Sequence, residues 1–300
     1  MRKQILEHQE EDRDNGKDQR TPEEESYLPN CEELARQLSM PILLICNGVD
    51  RELLHEVSDL FVNDTSKNSE ELGVVLHCAW GELDFVYQLV SLIRNTYKRM
   101  TVLVPFEAKY APALFVLGAN RTILTDVALL GPVAAEVEAY SPMAGVEVCV
   151  EAMRPFQEMR FLRKFILETF QDTIASLPVN RYDSKDVLKD TSYFALELSK
   201  FLLSNVNVGS LRECANEIFK AKYYSTKLLE TYTDLDKTAI DDLLHRLIDG
   251  FANRNFVIAP KDLKKSGLNV EVAYGNLEKT LIELGSQLDD YEPLIDFVIP

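Results

Sequence analysis

Long hydrophobic runs are missing from this 300-residue sequence. No stretch approaches the roughly 18 consecutive apolar residues that a membrane-spanning helix requires. The opening Met-Arg-Lys is followed by charged residues instead of the apolar stretch of a signal peptide. These two absences predict a cytoplasmic protein without a membrane span.

Cysteine is scarce, with five residues: Cys31, Cys46, Cys78, Cys149 and Cys214. An odd number of widely spaced cysteines, mostly inside apolar runs, is typical of reduced and buried side chains and not of a disulfide framework. No C-x-x-C or H-x-x-x-H spacing occurs, which excludes the usual ligand pairs of structural zinc. We therefore expect neither a metal nor another cofactor.

Positive charge is also in short supply, since 32 Lys and Arg stand against 49 Asp and Glu, for a net charge of -17. Such an excess of negative charge repels phosphate backbones and anionic lipid headgroups. The sequence also has no glycine-rich phosphate loop and no basic-aromatic stripe. We expect no direct binding to nucleic acid.

The chain divides into three predicted regions. Residues 1–36 are interpreted as an acidic, flexible tail, because residues 1–33 hold eleven acids and five bases. Residues 37–180 contain four short apolar runs, typical of buried parallel strands, at residues 42–46, 74–78, 101–104 and 122–124. Residues 181–300 are predicted to be helical and to pack on this core and on neighbouring subunits.

Amphipathic helices separate the predicted strands. Asp50 is suited to an N-cap before the apolar residues Leu53 and Val57, and a second stripe begins at Leu83. Alternating strands and helices predict an α/β fold with a parallel sheet flanked by helices. Later helices are predicted from near Pro155 and over residues 193–203, 211–218, 240–247 and 277–288, the last of them docked on the core.

Several elements occur in a distinctive order: a glycine turn, a helix after the next strand and a Leu-Gly-Pro element, in residues 77–84, 102–114, 117–119 and 130–133. With residues 255–258 and 267–270, they resemble the serine dehydrogenase proteinase family. That family is grouped with signal peptide peptidase A and the Clp proteolytic subunit in the crotonase-like fold. The resemblance covers roughly residues 37 to 272 and implies a crotonase- or Clp-protease-like parallel sheet with a helical C-terminal half.

The nucleophile position of this family is altered. The family carries Lys-Ser-Ala-Gly at the start of a helix, where backbone N–H groups favour a developing anion. Here the matching residues are Lys109, Tyr110, Ala111 and Pro112. A tyrosine hydroxyl lies much farther from its backbone than a serine hydroxyl, and its ordinary pKa of about 10 leaves it neutral at pH 7. The comparison implies that Tyr110 cannot occupy the attack position of the serine.

The groove around this position departs from the family as well. Trp80-Gly81-Glu82 matches two adjacent glycines and an acid, so an indole stands in place of an oxyanion-hole glycine. Pro112 replaces the glycine that lets substrate approach, and Arg254-Asn255 replaces a His-Asp pair. The resemblance implies a former oxyanion and substrate groove, with no intact catalytic set, at Trp80, Gly81, Glu82, Ala111, Pro112 and Arg254.

Two other residues are candidates for residual chemistry. Lys164 is either a remnant general base, by similarity to the signal peptide peptidase branch, or a solvated lysine beside Arg160 and Arg163. Cys78 is either an alternative nucleophile at the end of a strand or a core residue. Its neighbour His77 leaves the opposite face of the strand, so these two side chains cannot form a dyad.

The leading hypothesis is a catalytically inactive serine-peptidase homologue that acts as an oligomeric scaffold or regulatory subunit. Superfamily members typically pack through their C-terminal helices into closed assemblies. Apolar residues there exceed what one helical layer can bury: Phe161, Phe165, Phe170, Phe194, Phe201, Leu202 and Leu203. We expect a homo-oligomer, with an active homologue or an ATPase as a candidate protein partner. The alternatives are an active hydrolase with an altered nucleophile, and a module that binds a peptide or acyl chain in the old groove.

Overall fold

The computed structural model describes residues 26–63, 69–133, 136–141, 146–176, 184–203, 208–249, 258, 260–265, 267–288 and 294–300. Its strands are β1 (Ile42–Asn47), β2 (Glu71–Cys78), β3 (Arg99–Val104), β4 (Glu107–Ala108), β5 (Arg121–Leu124), β6 (Leu129–Leu130), β7 (Glu136–Ser141), β8 (Val146–Glu151), β9 (Val270–Val272) and β10 (Leu294–Val298). Its helices are α1 (Leu28–Leu38), α2 (Arg51–Asn63), α3 (Leu83–Thr96), α4 (Leu114–Gly118), α5 (Arg154–Ser176), α6 (Ser184–Leu203), α7 (Val208–Tyr232), α8 (Lys237–Leu244), α9 (Pro260–Lys265) and α10 (Asn276–Leu288). A 3-10 turn (Ala111–Ala113) precedes α4, and a π-helical turn (His245–Asp249) follows α8.

The main sheet is curled and mostly parallel. Strands β1, β2, β3, β5 and β9 lie side by side in parallel, and β10 runs antiparallel along β1. The short β4 pairs with the end of β2 and with β6, while β7 and β8 form a separate antiparallel hairpin. The predicted class, an α/β fold with a parallel sheet flanked by helices and a helical C-terminal half, is confirmed.

Both faces of the sheet are buried, which explains why its strands are unbroken apolar runs. In β1, Leu43 and Ile45 belong to one core, shared with α2, α3, α4 and α7. Ile42 and Leu44 belong to a second core on the other face, shared with α1 and α10. The sheet thus lies between two helical layers.

Two predicted helix features are found in the structure. The Asp50 carboxylate accepts a hydrogen bond from the Leu53 backbone N–H at 2.9 Å, as an N-cap of α2 does. In α10, Leu281, Leu284 and Leu288 are fully buried in the second core. The last helix is therefore docked on the sheet, as the leucine spacing predicts.

The predicted extent of the amino-terminal tail is wrong at its end. Helix α1 begins at Leu28, and Tyr27, Cys31 and Leu34 are fully buried. The Tyr27 hydroxyl donates a hydrogen bond to Asp296 of β10 at 3.0 Å. The high content of acidic residues led to the prediction of a tail, although residues 28–38 carry an apolar stripe with helical spacing. Helix α1 buries this stripe against the sheet. Residues 1–25 lie outside the described residues.

The helical half is built on α7. This helix packs against α3 and α4 of the core, while α5 packs against α6 and α7. The predicted regional boundary at residue 180 falls between α5 and α6, outside the described residues, and stays a prediction. No helix in the described ranges combines the length and low charge needed to cross a bilayer.

Candidate functional site

The candidate site lies where β1, β2 and β4 end. Cys78 of β2 is paired in parallel with Ala108 of β4, and the Lys109 N–H donates to the Cys78 carbonyl at 3.0 Å. Trp80 and Tyr110 each follow this pair by two residues. The strand register therefore brings both residues singled out in the sequence to one edge of the sheet, the edge where α/β proteins place ligands.

Tyr110 occupies a sharp turn between β4 and the following 3-10 turn. Its backbone angles are φ 58° and ψ -130°, in a region that costs a non-glycine residue about 1–3 kcal/mol. The Ala113 N–H closes the turn by donating to the Tyr110 carbonyl at 3.1 Å. A strained strand-to-helix turn presents the nucleophile in α/β-hydrolases. Here the same kind of turn presents a half-buried phenol.

The residues after Tyr110 give this turn few hydrogen-bond donors. Ala111, Pro112 and Ala113 are all buried, and proline has no N–H group. The Ala113 N–H already donates to the Tyr110 carbonyl. An oxyanion at this turn would therefore lack two of the backbone donors that a helix start normally offers.

The Trp80 indole lies against the turn after β1. A Cβ atom placed on Gly48 would stand 2.2 Å from both Cε2 and Cζ2 of Trp80, so only glycine fits beneath the ring. Asn47, just before it, has a left-handed φ of 67°. The indole thus lies at the ends of β1 and β2. It also faces solvent, since 42% of Trp80 is exposed.

The two remaining residues of the Trp-Gly-Glu segment tie the ends of β1 and β2 together. The Glu82 N–H donates to the Val49 carbonyl at 3.0 Å. A Cβ atom on Gly81 would lie 3.2 Å from the same carbonyl oxygen, so this glycine permits the close approach of the two loops. The exposed Glu82 serves as the N-cap residue of α3, with no side-chain hydrogen bond to that helix.

The Leu-Gly-Pro element forms the other wall of the turn. The Gly131 N–H donates to the Ala108 carbonyl at 3.0 Å, and a Cβ atom on Gly131 would lie 3.0 Å from the Lys109 Cα. The Lys109 ammonium pairs with Glu107 two residues back. Glycine at position 131 thus lets the backbone pack directly against the residue that precedes Tyr110.

Cys78 and His77 lie on opposite faces of β2. The Cys78 thiol is fully buried in the first core and donates to the Ile45 carbonyl at 3.5 Å. Burial, followed by the nearby Cys46, raises the pKa of the Cys78 thiol well above its ordinary value. The buried His77 ring packs edge-on against Phe106, with the ring centroids 5.9 Å apart. Cys78 therefore has the environment of a core thiol and not of a reactive one.

The other two candidates are placed as follows. The Lys164 side chain on α5 is 74% exposed, and its ammonium lies 3.6 Å from a Glu168 carboxylate oxygen. This placement matches the solvated-lysine alternative, and the remnant-base role stays a prediction. Arg254 lies outside the described residues.

Sequence reasoning missed a polar cluster at the first turn of α3. Asp84 accepts hydrogen bonds from the Tyr224 hydroxyl and, at 2.9 Å, from the Lys220 ammonium. Burial raises the pKa of Asp84, but the hydrogen bonds from Tyr224 and Lys220 outweigh it and hold that pKa below its ordinary value. Burial and Asp84 together raise the pKa of Tyr224 to about 12. The spacing of Lys220 and Tyr224, one helical turn apart, was the available signal.

The cluster anchors α7 to the core. The Tyr224 ring stacks on Tyr87 of α3, with centroids 4.3 Å apart and planes 11° apart. Lys220 also pairs with Glu217 of its own helix at 2.8 Å. Within the described part of the chain, no group of three His, Cys, Asp or Glu side chains could hold a metal ion.

Comparisons with known proteins do not identify a family for this chain. No family model matches the chain, and no curated protein matches it. Among solved structures it is similar to the crystal structure of a peptidase from Plasmodium falciparum, with a TM-score of 0.41 and 8% sequence identity, over 81% of this chain and 98% of that one. At this level the similarity assigns no role to any residue.

Proposed function

We propose that this protein is a catalytically inactive homologue of serine dehydrogenase proteinases that acts as an oligomeric scaffold or interaction subunit. The observation that carries the proposal is Tyr110 on its strained strand-to-helix turn. This is where the resemblance expects the serine nucleophile. The turn is retained while the hydroxyl that would attack is replaced by a phenol.

Three features of the site support the absence of hydrolysis. A serine hydroxyl attacks from beside its own backbone, whereas the Tyr110 hydroxyl stands at the far end of a ring. Pro112 removes a backbone donor at the turn. The Trp80 indole lies over Gly48 at the same edge of the sheet. Restoring the nucleophile alone would therefore not restore the remaining parts of a peptidase site.

The scaffold role is supported by aromatic side chains exposed on α5 and α6. Phe161 and Phe165 are 68% and 45% exposed on one side of α5, and Tyr193 and Phe194 of α6 are also exposed. Soluble monomers rarely expose such groups of large apolar side chains. A symmetric interface between copies of the chain would bury them. An active homologue or an ATPase remains the proposed class of further partner.

Size exclusion with light scattering tests the assembly. We expect a mass of at least two chains, because the exposed aromatic rings need a partner surface. The double variant Phe161→Ser/Phe165→Ser should shift the mass towards one chain. Val62→Ser is the matched control, since Val62 is 72% exposed on α2, away from these helices. A mass of 34.2 kDa for the unmodified protein at micromolar concentration would refute the oligomer.

A second candidate function is supported by the exposure of Trp80. An indole with 42% of its surface free, at the sheet edge where ligands bind, could hold a peptide or acyl chain without cleaving it. Decanoate and an unstructured peptide, added separately, should then raise the unfolding temperature and change the emission of Trp80. Loss of both effects in Trp80→Ala would support this module, and their absence in the unmodified protein would exclude these ligands.

A further inference from the structure

An open groove runs between α5 and α7, separate from the edge that holds Trp80 and Tyr110. Its volume is about 440 Å³, within the usual size of binding clefts. Its apolar floor is formed by Met153, Phe156, Met159 and Ile218. Two methionines make such a floor adaptable in shape, because the thioether side chain is unbranched and flexible.

Positive charge lines the rim of this groove in a protein whose net charge is -17. The rim has a net charge of +2, because it carries three basic side chains (Arg160, Arg163 and Lys222) and one acidic side chain (Asp249). Lys222 is already paired with Asp249 at 2.8 Å. No ion pair joins Arg160 or Arg163 to any residue that the structure describes, so these two guanidinium groups are available to a ligand.

The spacing of the two arginines favours one kind of ligand. Arg160 and Arg163 are three residues apart on α5, about one helical turn, and so stand on the same side of the helix. Guanidinium groups bind carboxylates in a paired, planar geometry. Two carboxylates at a similar spacing, with an apolar side chain between them, would match both the rim and the floor.

We propose that the α5–α7 groove binds an acidic peptide segment of a partner protein, with an apolar side chain on its floor and carboxylates on Arg160 and Arg163. Charge complementarity is the reason for this occupant: the rest of the surface repels acidic chains, while the groove attracts them. The aromatic rings Phe161 and Phe165 lie on the opposite side of α5, so self-association through them leaves the groove open. The proposal does not depend on the chemistry of Tyr110.

Fluorescence anisotropy with a labelled probe tests this proposal on the full chain. The probe is acetyl-Glu-Leu-Phe-Glu-Glu-Leu-Leu-Glu-amide carrying fluorescein, and its counterpart has Gln in place of every Glu. We expect the acidic probe to bind and the Gln counterpart to bind at least about tenfold more weakly. Binding should also weaken as salt increases, since screening reduces the attraction of rim charges.

A charge reversal in the groove and the same reversal far from it provide the matched variants. Arg163→Glu should weaken binding of the acidic probe by about tenfold or more, whereas Lys279→Glu, with the same charge change on α10 at the other face of the sheet, should alter it by less than about twofold. Ile218→Asp should abolish binding through the floor. Arg163 and Lys279 are both exposed, and circular dichroism verifies that the two charge-reversal variants are folded.

Three outcomes would overturn the proposal. The first is equal loss of binding in Arg163→Glu and Lys279→Glu, which would indicate a diffuse electrostatic attraction. The second is equal affinity for the acidic and Gln probes. The third is protection of the groove residues from hydrogen exchange on self-association alone, which would make a second copy of the chain the occupant.

Discussion

Cys78 and Ala108 are paired in register where β2 and β4 end, so Trp80 and Tyr110 occupy equivalent positions two residues farther along. In a parallel pair of strands, equivalent positions are neighbours. The backbone hydrogen bond from Lys109 to Cys78 extends this pairing by one residue towards Tyr110. The edge of the sheet at which a ligand would enter is thus bordered by an indole on one strand end and a phenol on the next.

We predict that Trp80 and Tyr110 are energetically coupled, because the strand register makes them neighbours at one edge of the sheet. A double-mutant cycle of Trp80→Ala and Tyr110→Ala, measured by urea unfolding, should give a coupling of about 0.5 kcal/mol or more. The same cycle between Trp80 and Tyr193 on α6 is the control. Additive effects of the first pair would show that the two residues contribute to stability independently.

Substituting Gly48 should move the indole. A Cβ atom at this position would overlap two ring atoms of Trp80, so Gly48→Ala should destabilise the protein by about 1–3 kcal/mol. Trp80 is the only tryptophan in the chain, so its emission reports the displacement directly. In a Trp80→Ala background the same substitution should cost much less. An unchanged emission spectrum in Gly48→Ala would contradict this placement of the ring.

At position 110, a glycine variant should be more stable than an alanine variant, the reverse of the usual order of stability. Both substitutions remove the phenol, but only glycine adopts φ 58°, ψ -130° without strain. We expect Tyr110→Gly to be more stable than Tyr110→Ala by about 1 kcal/mol in urea unfolding. At Gln88, an exposed position in α3, alanine should be the more stable by a similar amount. If alanine were the more stable substitution at both positions, the backbone of Tyr110 would be unstrained.

The Asp84 cluster should make stability depend on pH at the acid end. The pKa of Asp84 in the folded protein is lowered below the ordinary 3.8, so its carboxylate stabilises the fold above pH 3.8. This contribution is lost as the pH falls through the lowered pKa. Because 39% of the side chain is exposed, we expect Asp84→Asn to cost only about 0.5 kcal/mol at pH 7. Unfolding temperatures of the variant and the unmodified protein should converge as the pH falls below 3.8. Asp59→Asn on the exposed face of α2 is the control, and a difference that does not narrow with falling pH would contradict the assignment.

The four central strands could be predicted because strands buried on both faces of a sheet consist of unbroken apolar runs. Strand β2 begins at Glu71, three residues earlier than predicted. This start was missed because Glu71 is polar, and its contacts with Arg99 and Thr101 of the next strand leave no apolar pattern. Strand β10 was missed because it carries Asp296 and pairs with β1 at the other end of the chain. Partners so distant in sequence leave no local pattern.

The site was also predictable only in part. The family resemblance predicts Trp80 and Tyr110 as site residues from their positions in short motifs, and strand register brings them to one edge. The contact of Trp80 with Gly48 depends on the packing of two separate loops, and the strain at Tyr110 depends on how β4 meets the next turn. These relationships arise from tertiary structure, so residue order alone could not predict them.

Covalent labelling with a fluorophosphonate probe tests the central claim, that the site is catalytically inactive. The unmodified protein, Tyr110→Ser, Tyr110→Phe and Cys78→Ser are incubated with the probe and, separately, with casein, beside an active serine hydrolase. We predict no labelling and no cleavage in any variant, including Tyr110→Ser, because Trp80 and Pro112 still alter the groove. Labelling or cleavage by the unmodified protein that is lost in Tyr110→Phe or Cys78→Ser would show an active hydrolase and contradict the claim.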